Sequence, residues 1–442
     1  MDNSNYISSL SFLQHSFVQG REILSSVLDV QNEEEGFLDV MQALGKVKPT
    51  SQPVYHSFVN EALYKNNTIT ISEAGAGTGK QTDITVSAAG NARVGDLMMG
   101  VSGNVYLIQK IGTAAEGITF TPVDGAGVAT DYDASGDKFV VFSNAQGEGS
   151  GSPDPIKYGL TKQSNRVQIF KNKYRISDVA KASKITVEYK GKPYFMYKGT
   201  YEALQRFRGD ISNSLMFGKG SGDYYAGATV GDMTNNGATD GSAVQTTNGL
   251  REELRSGGIL ESGSPFDFNT NVLTTLTDLT KALNKARAPK DYWMWLGTDA
   301  NIKMDNALNG LDGTGFTSAR FAVDGRSIDL GVDKFSLYGR TWNKKQLSIL
   351  DHNELGSTVT GSGEIYLIPT GQVKTAGGGG SQDYLQVRYL EGDGNNFSFR
   401  ETLTGGLAPT PTSADSILDV NYQAIMGLEV LGKEHCALVT GF

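Results

Sequence analysis

The chain is predicted to be α+β, with a compact all-β module in its first third, and three observations carry that prediction. A few segments repeat apolar residues at three- and four-residue steps, the period of a helix face. Elsewhere, short β-branched and aromatic runs are punctuated by Gly, Asn and Asp clusters, the signature of short strands. Glycine supplies 55 of 442 residues while proline supplies only 11. That glycine share, about 12% against a usual ~7%, therefore serves turns rather than a collagen-like repeat or a proline-rich linker.

The elements follow in chain order. Residues 1–48 form a helical arm: Leu10, Leu13, Phe17, Leu24, Val27 and Leu28 share a face, and Phe37, Leu38, Met41 and Leu44 extend it after Gly36. Such a segment can open a globular core or lie on a neighbouring subunit, and periodicity does not choose between them. Strands are expected at Thr68–Ile71, Ile84–Val86, Val105–Ile111, Ile118–Thr121 and Phe139–Phe142. The glycine-rich stretch 146–153 leaves this module, and Arg166–Phe170, Tyr174–Ile176 and Ile185–Tyr189 return to extended character. A helix starts near Thr200 as N-cap, buries Leu204, Phe207, Ile211 and Leu215, and stops at Gly218. Residues 218–258 read as one long Gly/Asn/Thr-rich loop, a length that is usually functional. A second helix spans Asn269–Arg287, Trp293–Leu296 is a buried strand, and Thr298-Asp299 caps a third helix to Leu308. Strands then follow at Ile328–Leu330, Phe335–Tyr338, Leu347–Ile349, Ile365–Ile368, Tyr384–Leu390 and Phe397–Leu403. A final pair, Tyr422–Val430 and His435–Val439, is joined through Gly432-Lys433.

The chemistry-bearing motifs are weak. The 39 Lys and Arg against 48 Asp and Glu give a net charge of −9, which argues against a generally basic nucleic-acid binder. One cysteine, Cys436, excludes a disulfide framework within the chain. The four histidines (His15, His56, His352 and His435) are far apart in sequence. Gly75–Lys80 resembles a phosphate loop, but Ala74 stands where its first glycine belongs and Gln81 where Ser or Thr would hold Mg²⁺. Asp131, Asp133 and Gly136 open like a calcium loop, yet Phe142 replaces the bidentate Glu. His435 and Cys436 are neighbours on a predicted strand and so point to opposite faces; Cys436 reads as a small core residue. Glu33–Glu35 and Glu252-Glu253 read as solvated carboxylates. Asp223 with Tyr224-Tyr225 is the one cluster that a glycan-active cleft could use. No catalytic, cofactor-binding or metal-ligating residue is nominated, and the expectation is of a protein that is not an enzyme and needs no cofactor. The opening residues show no secretory signal, and no apolar run approaches the ~18–20 residues of a membrane span.

Positive charge concentrates in Arg166, Lys171, Lys173, Arg175, Lys181, Lys184, Lys190 and Lys192. This is either a nucleic-acid stripe or a basic strand ribbon lying against an acidic patch of another subunit, for instance Glu33–Glu35. The acidity of the whole chain favours the second. Extended ribbons bury little of their own surface, so this arrangement fits a protein whose neighbours cover it.

At these residues the chain resembles the major capsid proteins of tailed double-stranded DNA bacteriophages, of Hong Kong 97-type fold, with those of the crAss-like group among the candidates. The resemblance is densest at Glu148-Gly149, Asn165–Phe170 and Tyr174–Ala180, with Val94–Asp96 in the β module and the two last strands adding to it. Arg166-Val167 stands for an aromatic–threonine pair usual there, and Asp178-Val179 for a small–threonine pair. The resemblance implies an N-terminal arm over 1–50 and an extended loop over 51–190 carrying an all-β insertion at about 68–145. It further implies a peripheral domain with a spine helix over 191–265, an axial domain over 266–415, and C-terminal strands over 416–442 that return to the peripheral domain.

The function implied is mechanical: self-assembly into hexamers and pentamers of an icosahedral head around packaged double-stranded DNA, without sequence-specific contacts. Portal, scaffolding, and decoration or head-fibre proteins would be partners. The location would be the virion shell, assembled in the host bacterial cytoplasm. A negative lining would leave packaged DNA free to move. Another virion structural protein, a tail-tube or baseplate component, is the alternative; a tail tube would be mainly β, without a long helix.

Overall fold

The computed structural model describes residues 36–60, 67–72, 81–88, 90–112, 117–125, 131–132, 135–156, 159–177, 188–189, 192–220, 244–262, 272–310, 334–351, 363–374 and 380–440. The chain divides into two compact units, one of residues 1–56 with 164–442 and one of residues 57–163. The α+β class expected from periodicity is the class found.

The smaller unit is built on seven antiparallel strands in the order Gln81–Ile84, Ile118–Pro122, Val105–Ile111, Asp96–Met99, Lys138–Asn144, Thr68–Ile71 and Val86–Ala88. The two outermost strands are consecutive in sequence, separated only by Thr85. In a flat sheet, six spacings of about 4.8 Å would hold them about 29 Å apart, whereas one residue bridges about 7 Å. The sheet is therefore rolled until its edges approach. Its interior holds Tyr106, Phe120, Tyr132 and Phe139 in edge-on and tilted contacts at 5.4–6.0 Å, packed with Ile69, Ile71, Ile108 and Ile118. The single strand expected at Ile84–Val86 is thus two strands, because the roll turns at Thr85. The Asp96–Met99 strand was not expected; only Leu97-Met98-Met99 carries an apolar signal there.

The larger unit has two six-stranded sheets. In the first, Val47–Thr50 pairs in parallel with Leu385–Gly392, which pairs antiparallel with the 14-residue strand Ile417–Val430. Gln168–Ser177 runs antiparallel along the other side of that long strand, and Arg400–Thr404 also pairs with it. Strict alternation orients this sheet. Phe170, Val420, Tyr422, Ala424, Met426 and Leu428 turn into the main core, while Lys171, Lys173 and Arg175 turn out. Over the inner face lies the helix Tyr194–Phe217, with Phe207, Ile211 and Leu215 buried as expected. It begins more than a turn before Thr200, directly after the short strand Lys192–Pro193. Gly218 ends it at a close backbone crossing, its carbonyl accepting from Gly249 N at 2.8 Å.

The helix Phe37–Ala43 packs beside it. Phe37 meets Trp295 edge-on at 5.8 Å, and Leu38 N donates to Ser212 Oγ at 3.2 Å. Leu44, expected on the buried face, ends this helix and is exposed.

The second sheet runs Ile259–Ser262, Ala437–Thr440, Ile365–Pro369, Asp291–Leu296, Arg340–Gln346 and Lys334–Leu337. One face completes the main core through Trp295, Tyr366, Ile368 and Leu438. The other is covered by helices Val272–Lys285 and Thr298–Gly310, close to their expected spans. Three expectations are corrected here. Residues 250–257 are a helix inside the stretch read as loop, with Leu250 and Leu254 buried. Leu347–Ile349 is not a strand: the strand precedes it, and Ser348–Leu350 makes a 3₁₀ turn. The two C-terminal strands do not pair with each other. Gly432, in the left-handed conformation, and a 3₁₀ turn at Lys433–His435 lead the chain from the first sheet into the second.

Candidate functional site

The residues with motif potential resolve mostly into structure. Asp131 is fully buried in the smaller unit and accepts from Tyr106 Oη at 2.6 Å, Ser102 Oγ at 2.5 Å and Ser102 N at 2.8 Å. Burial opposes its ionisation, but the hydrogen bonds from Ser102 and Tyr106 outweigh it and hold its carboxyl below the usual range. Those oxygens are committed to the fold. Asp133, Gly75–Lys80, Glu33–Glu35, His15, His352 and Asp223–Tyr225 lie outside the described residues. Cys436 is a core residue, as expected, and burial pushes its thiol up to about 12. His435 Nδ1 pairs instead with Tyr384 Oη at 2.8 Å. Glu253 corrects the solvated reading: it is buried and ion-paired with Lys433, because it shares the inward face of its helix with Leu250 and Leu254. Among the described residues, no group of three or more His, Cys, Asp or Glu could hold a metal ion, and no helix is long and apolar enough to cross a membrane.

What the sequence marked at Asn165–Phe170 becomes a buried polar junction. Asn165 Nδ2 donates to Leu428 O at 2.7 Å and to Asn248 O at 3.0 Å. Its Oδ1 accepts from Arg166 N at 2.8 Å and Asn248 N at 3.0 Å. Tyr55 Oη reaches the same Leu428 carbonyl at 2.5 Å, and Thr247 N donates to Gln168 Oε1 at 3.2 Å. One amide thus ties three chain segments together. Gly427 makes room for it: a Cβ there would stand 2.9 Å from Tyr55 Oη.

The ribbon leading away from this junction pairs Val54–Asn60 with Leu160–Arg166. Phe58 and Leu160 on it are 64% and 65% exposed.

The basic segment resolves into an outward row on the edge strand Gln168–Ser177. Its favoured reading, pairing with another subunit's acids, is corrected in part. Lys173 and Arg175 both bind Asp419 of the same chain, at 2.6 and 2.7 Å, the arginine through two nitrogens. The hydrogen bonds from Arg175, with Lys173 beside it, hold the Asp419 carboxyl at about 2. Lys171 makes no ion pair among the described residues. Lys181 and Lys184 lie outside them. Asp419 and Arg400 were not singled out from the sequence. The signal for Asp419 was its place in Leu418–Gln423, where apolar residues alternate with Asp, Asn and Gln.

Comparison with known proteins supplies what the geometry does not. A family model described as SU10 major capsid protein matches residues 9–317. No curated protein matches. Similar solved structures include Microbacterium phage Oxtober96, 10% identical with a TM-score of 0.43, covering 99% of this chain and 100% of that one. Another, the capsid of a native GTA particle computed with C5 symmetry, is 7% identical at a TM-score of 0.43 and covers 99% of each chain. Mycobacterium phage Ogopogo is 10% identical at 0.42, covering 97% of this chain and 99% of that one. The family match extends over well over half of the sequence, and the chain accordingly belongs to the SU10 major capsid protein family, as a structural protein of the bacteriophage capsid shell.

Proposed function

We propose that copies of this chain assemble into hexamers and pentamers of an icosahedral head, on a Hong Kong 97-type fold, and that the head encloses double-stranded DNA. The role is mechanical and not catalytic. The observation that carries it is the ribbon of Val54–Asn60 and Leu160–Arg166. A two-stranded ribbon is marginal by itself, and this one exposes Phe58 and Leu160. A neighbouring copy that covered those side chains would remove the cost of exposing them, and repetition over a symmetric lattice would sum many such contacts. On this reading the ribbon and the smaller unit are the extended loop with its insertion. The first sheet with Tyr194–Phe217 is the peripheral domain and its spine, and the second sheet with its two helices is the axial domain. Portal, scaffolding, and decoration or head-fibre proteins would complete the head.

Negative-stain electron microscopy of the purified protein, with and without the products of neighbouring genes, tests this. Closed shells or five- and sixfold rings are the expected result. Tubes, or a chain that stays monomeric in both preparations, would overturn it.

A further inference from the structure

We infer that the outward face of the first sheet is a phosphate-backbone binding surface for the packaged nucleic acid; this rests on the reading that the shell encloses DNA. Three cations, Lys171, Lys173 and Arg175, project from alternate positions of the edge strand. Alternate residues on a strand stand about 6.8 Å apart, a period commensurate with successive phosphates along one nucleic-acid strand. Gln423 lies opposite both Lys171 and Arg400, so a fourth cation stands two strands away in the same row. Between these charges are Thr402, Asn421 and Gln423, which line with Lys171 and Lys173 an open depression of about 540 Å³. The Thr402 hydroxyl and Gln423 amide are of the kind that donate to phosphate oxygens without reading sequence, while the Asn421 amide donates to Thr402 O and Thr404 Oγ1 and holds the surface in shape.

The charge on this face is not spent within the chain. Asp419 neutralises one of its two partners, and Arg175 remains 57% exposed despite the pair. Lys171 and Arg400 make no ion pair among the described residues. Glu401 turns away, lying opposite Tyr422, which faces the helix Tyr194–Phe217. Among the described residues, the one further carboxylate that acts on the row, Asp415, does so on Arg175, at the end away from Lys171 and Arg400. Four cations against Asp419 and Asp415 thus leave two net positive charges, centred on Lys171 and Arg400, on one face of a chain that carries −9.

An acidic segment of a second copy is the competing occupant, and the composition of the face speaks against it. Protein interfaces are built round an apolar centre with a polar rim. Here the centre is amide, hydroxyl and ammonium, and the exposed apolar residue Ile169 sits at the end of the row. Attraction to a polyanion needs no apolar centre, because its driving force is the release of counterions.

The test is a titration of the unassembled full-length protein with a fluorescently labelled 30-base-pair duplex of arbitrary sequence, from 50 to 200 mM salt. Three phosphate contacts predict a slope of about −3 in log affinity against log salt. The variant Lys171→Glu/Arg400→Glu changes two cations that make no ion pair among the described residues. It is expected to bind at least tenfold more weakly at 50 mM salt, with a slope about two smaller. Lys171→Gln/Arg400→Gln should fall between it and the parent, and tryptophan-monitored unfolding of both variants should match the parent. Parent-like DNA affinity in the charge-reversed variant would overturn the proposal, as would no binding by the parent at 50 mM salt. Unchanged DNA affinity with impaired self-association would overturn it in favour of the acidic partner. Microscopy of the same proteins keeps the two readings apart: shells without DNA affinity refute this inference alone, and DNA affinity without shells refutes only the proposed assembly.

Discussion

Replacing Asn165 by alanine should cost the larger unit about 3 kcal/mol, and the contacts around the side chain give the reason. Asn165 makes four hydrogen bonds of 2.7–3.0 Å. Truncation does not affect all four partners alike. The Leu428 carbonyl keeps Tyr55 Oη, and the Asn248 carbonyl keeps Thr247 Oγ1 at 3.3 Å. Arg166 N and Asn248 N are left without an acceptor. Each stranded buried donor would cost about 1–3 kcal/mol, a sum between about 2 and 6; these two are part-buried, and that access to water holds the sum toward the low end. The expected 3 kcal/mol is roughly a hundredfold in the folded-to-unfolded ratio. In urea, with a slope near 3 kcal/mol per M, it lowers the midpoint by about 1 M. Tryptophan fluorescence is the assay of choice, since Trp293, Trp295 and Trp342, all the tryptophans of the chain, lie in the larger unit. Asn165→Asp gives a second arm. It keeps the acceptor but turns a carboxylate toward two carbonyls, so its folded-state pKa rises above the unfolded value. The variant must then regain stability as pH falls through that raised pKa and lose it as pH rises. A midpoint within 0.2 M of the parent for Asn165→Ala would refute the assignment of the junction as a structural tie.

Gly249→Ala should lower the same midpoint, because its Cβ would stand 2.6 Å from Gly218 N and 2.8 Å from the Met216 carbonyl carbon, both backbone atoms that cannot step aside. Gly209→Ala, in open space within the helix Tyr194–Phe217, should raise it by adding about 0.5–1 kcal/mol of stability. The Asp419 carboxyl is held below its unfolded value, so its stabilisation is complete above about pH 4 and is lost as pH falls toward 2. Acid unfolding of Asp419→Asn should lack that portion of the pH dependence. Cys436 should resist a soluble maleimide in the native protein and react on addition of urea; rapid native labelling would contradict its place in the core.

Much of the fold was legible because its elements obey one period at a time. Phe207, Ile211 and Leu215 declared their helix at steps of four, and Tyr422–Val430 declared most of the long strand, which begins five residues earlier at Ile417. Pairing was not legible, since hydrogen-bond partners lie far apart: Val47–Thr50 pairs with residues about 340 positions on. The two C-terminal strands looked like a hairpin because Gly432-Lys433 reads as a turn. Gly432 does turn the chain, but a 3₁₀ turn follows and sends it into another sheet. Residues 250–257 hid as loop because a two-turn helix gives its apolar pattern only Leu250 and Leu254 to display, beside Glu253, whose burial depends on Lys433 from the far end of the chain.

The outward row shows why charge in a sequence is a poor guide to a partner. Eight cations close together look like one feature, yet the strand period alternates their surroundings and the neighbouring strand decides their fate. Lys173 and Arg175 meet Asp419 because antiparallel register sets Arg175 opposite it. Arg400 joins Lys171 because both lie opposite Gln423, although 229 residues separate them. The net surplus on the face is therefore a property of the sheet and not of the basic run. Substitutions that leave composition untouched make the point testable. Exchanging Asp419 and Asn421 would keep both residues on the outward face while moving the carboxylate from opposite Arg175 to opposite Lys173 and nearer Lys171. Competition for Lys171 should then weaken duplex DNA binding at unchanged net charge. If binding instead follows net charge alone, the placement of cations on this sheet is irrelevant and only their number matters.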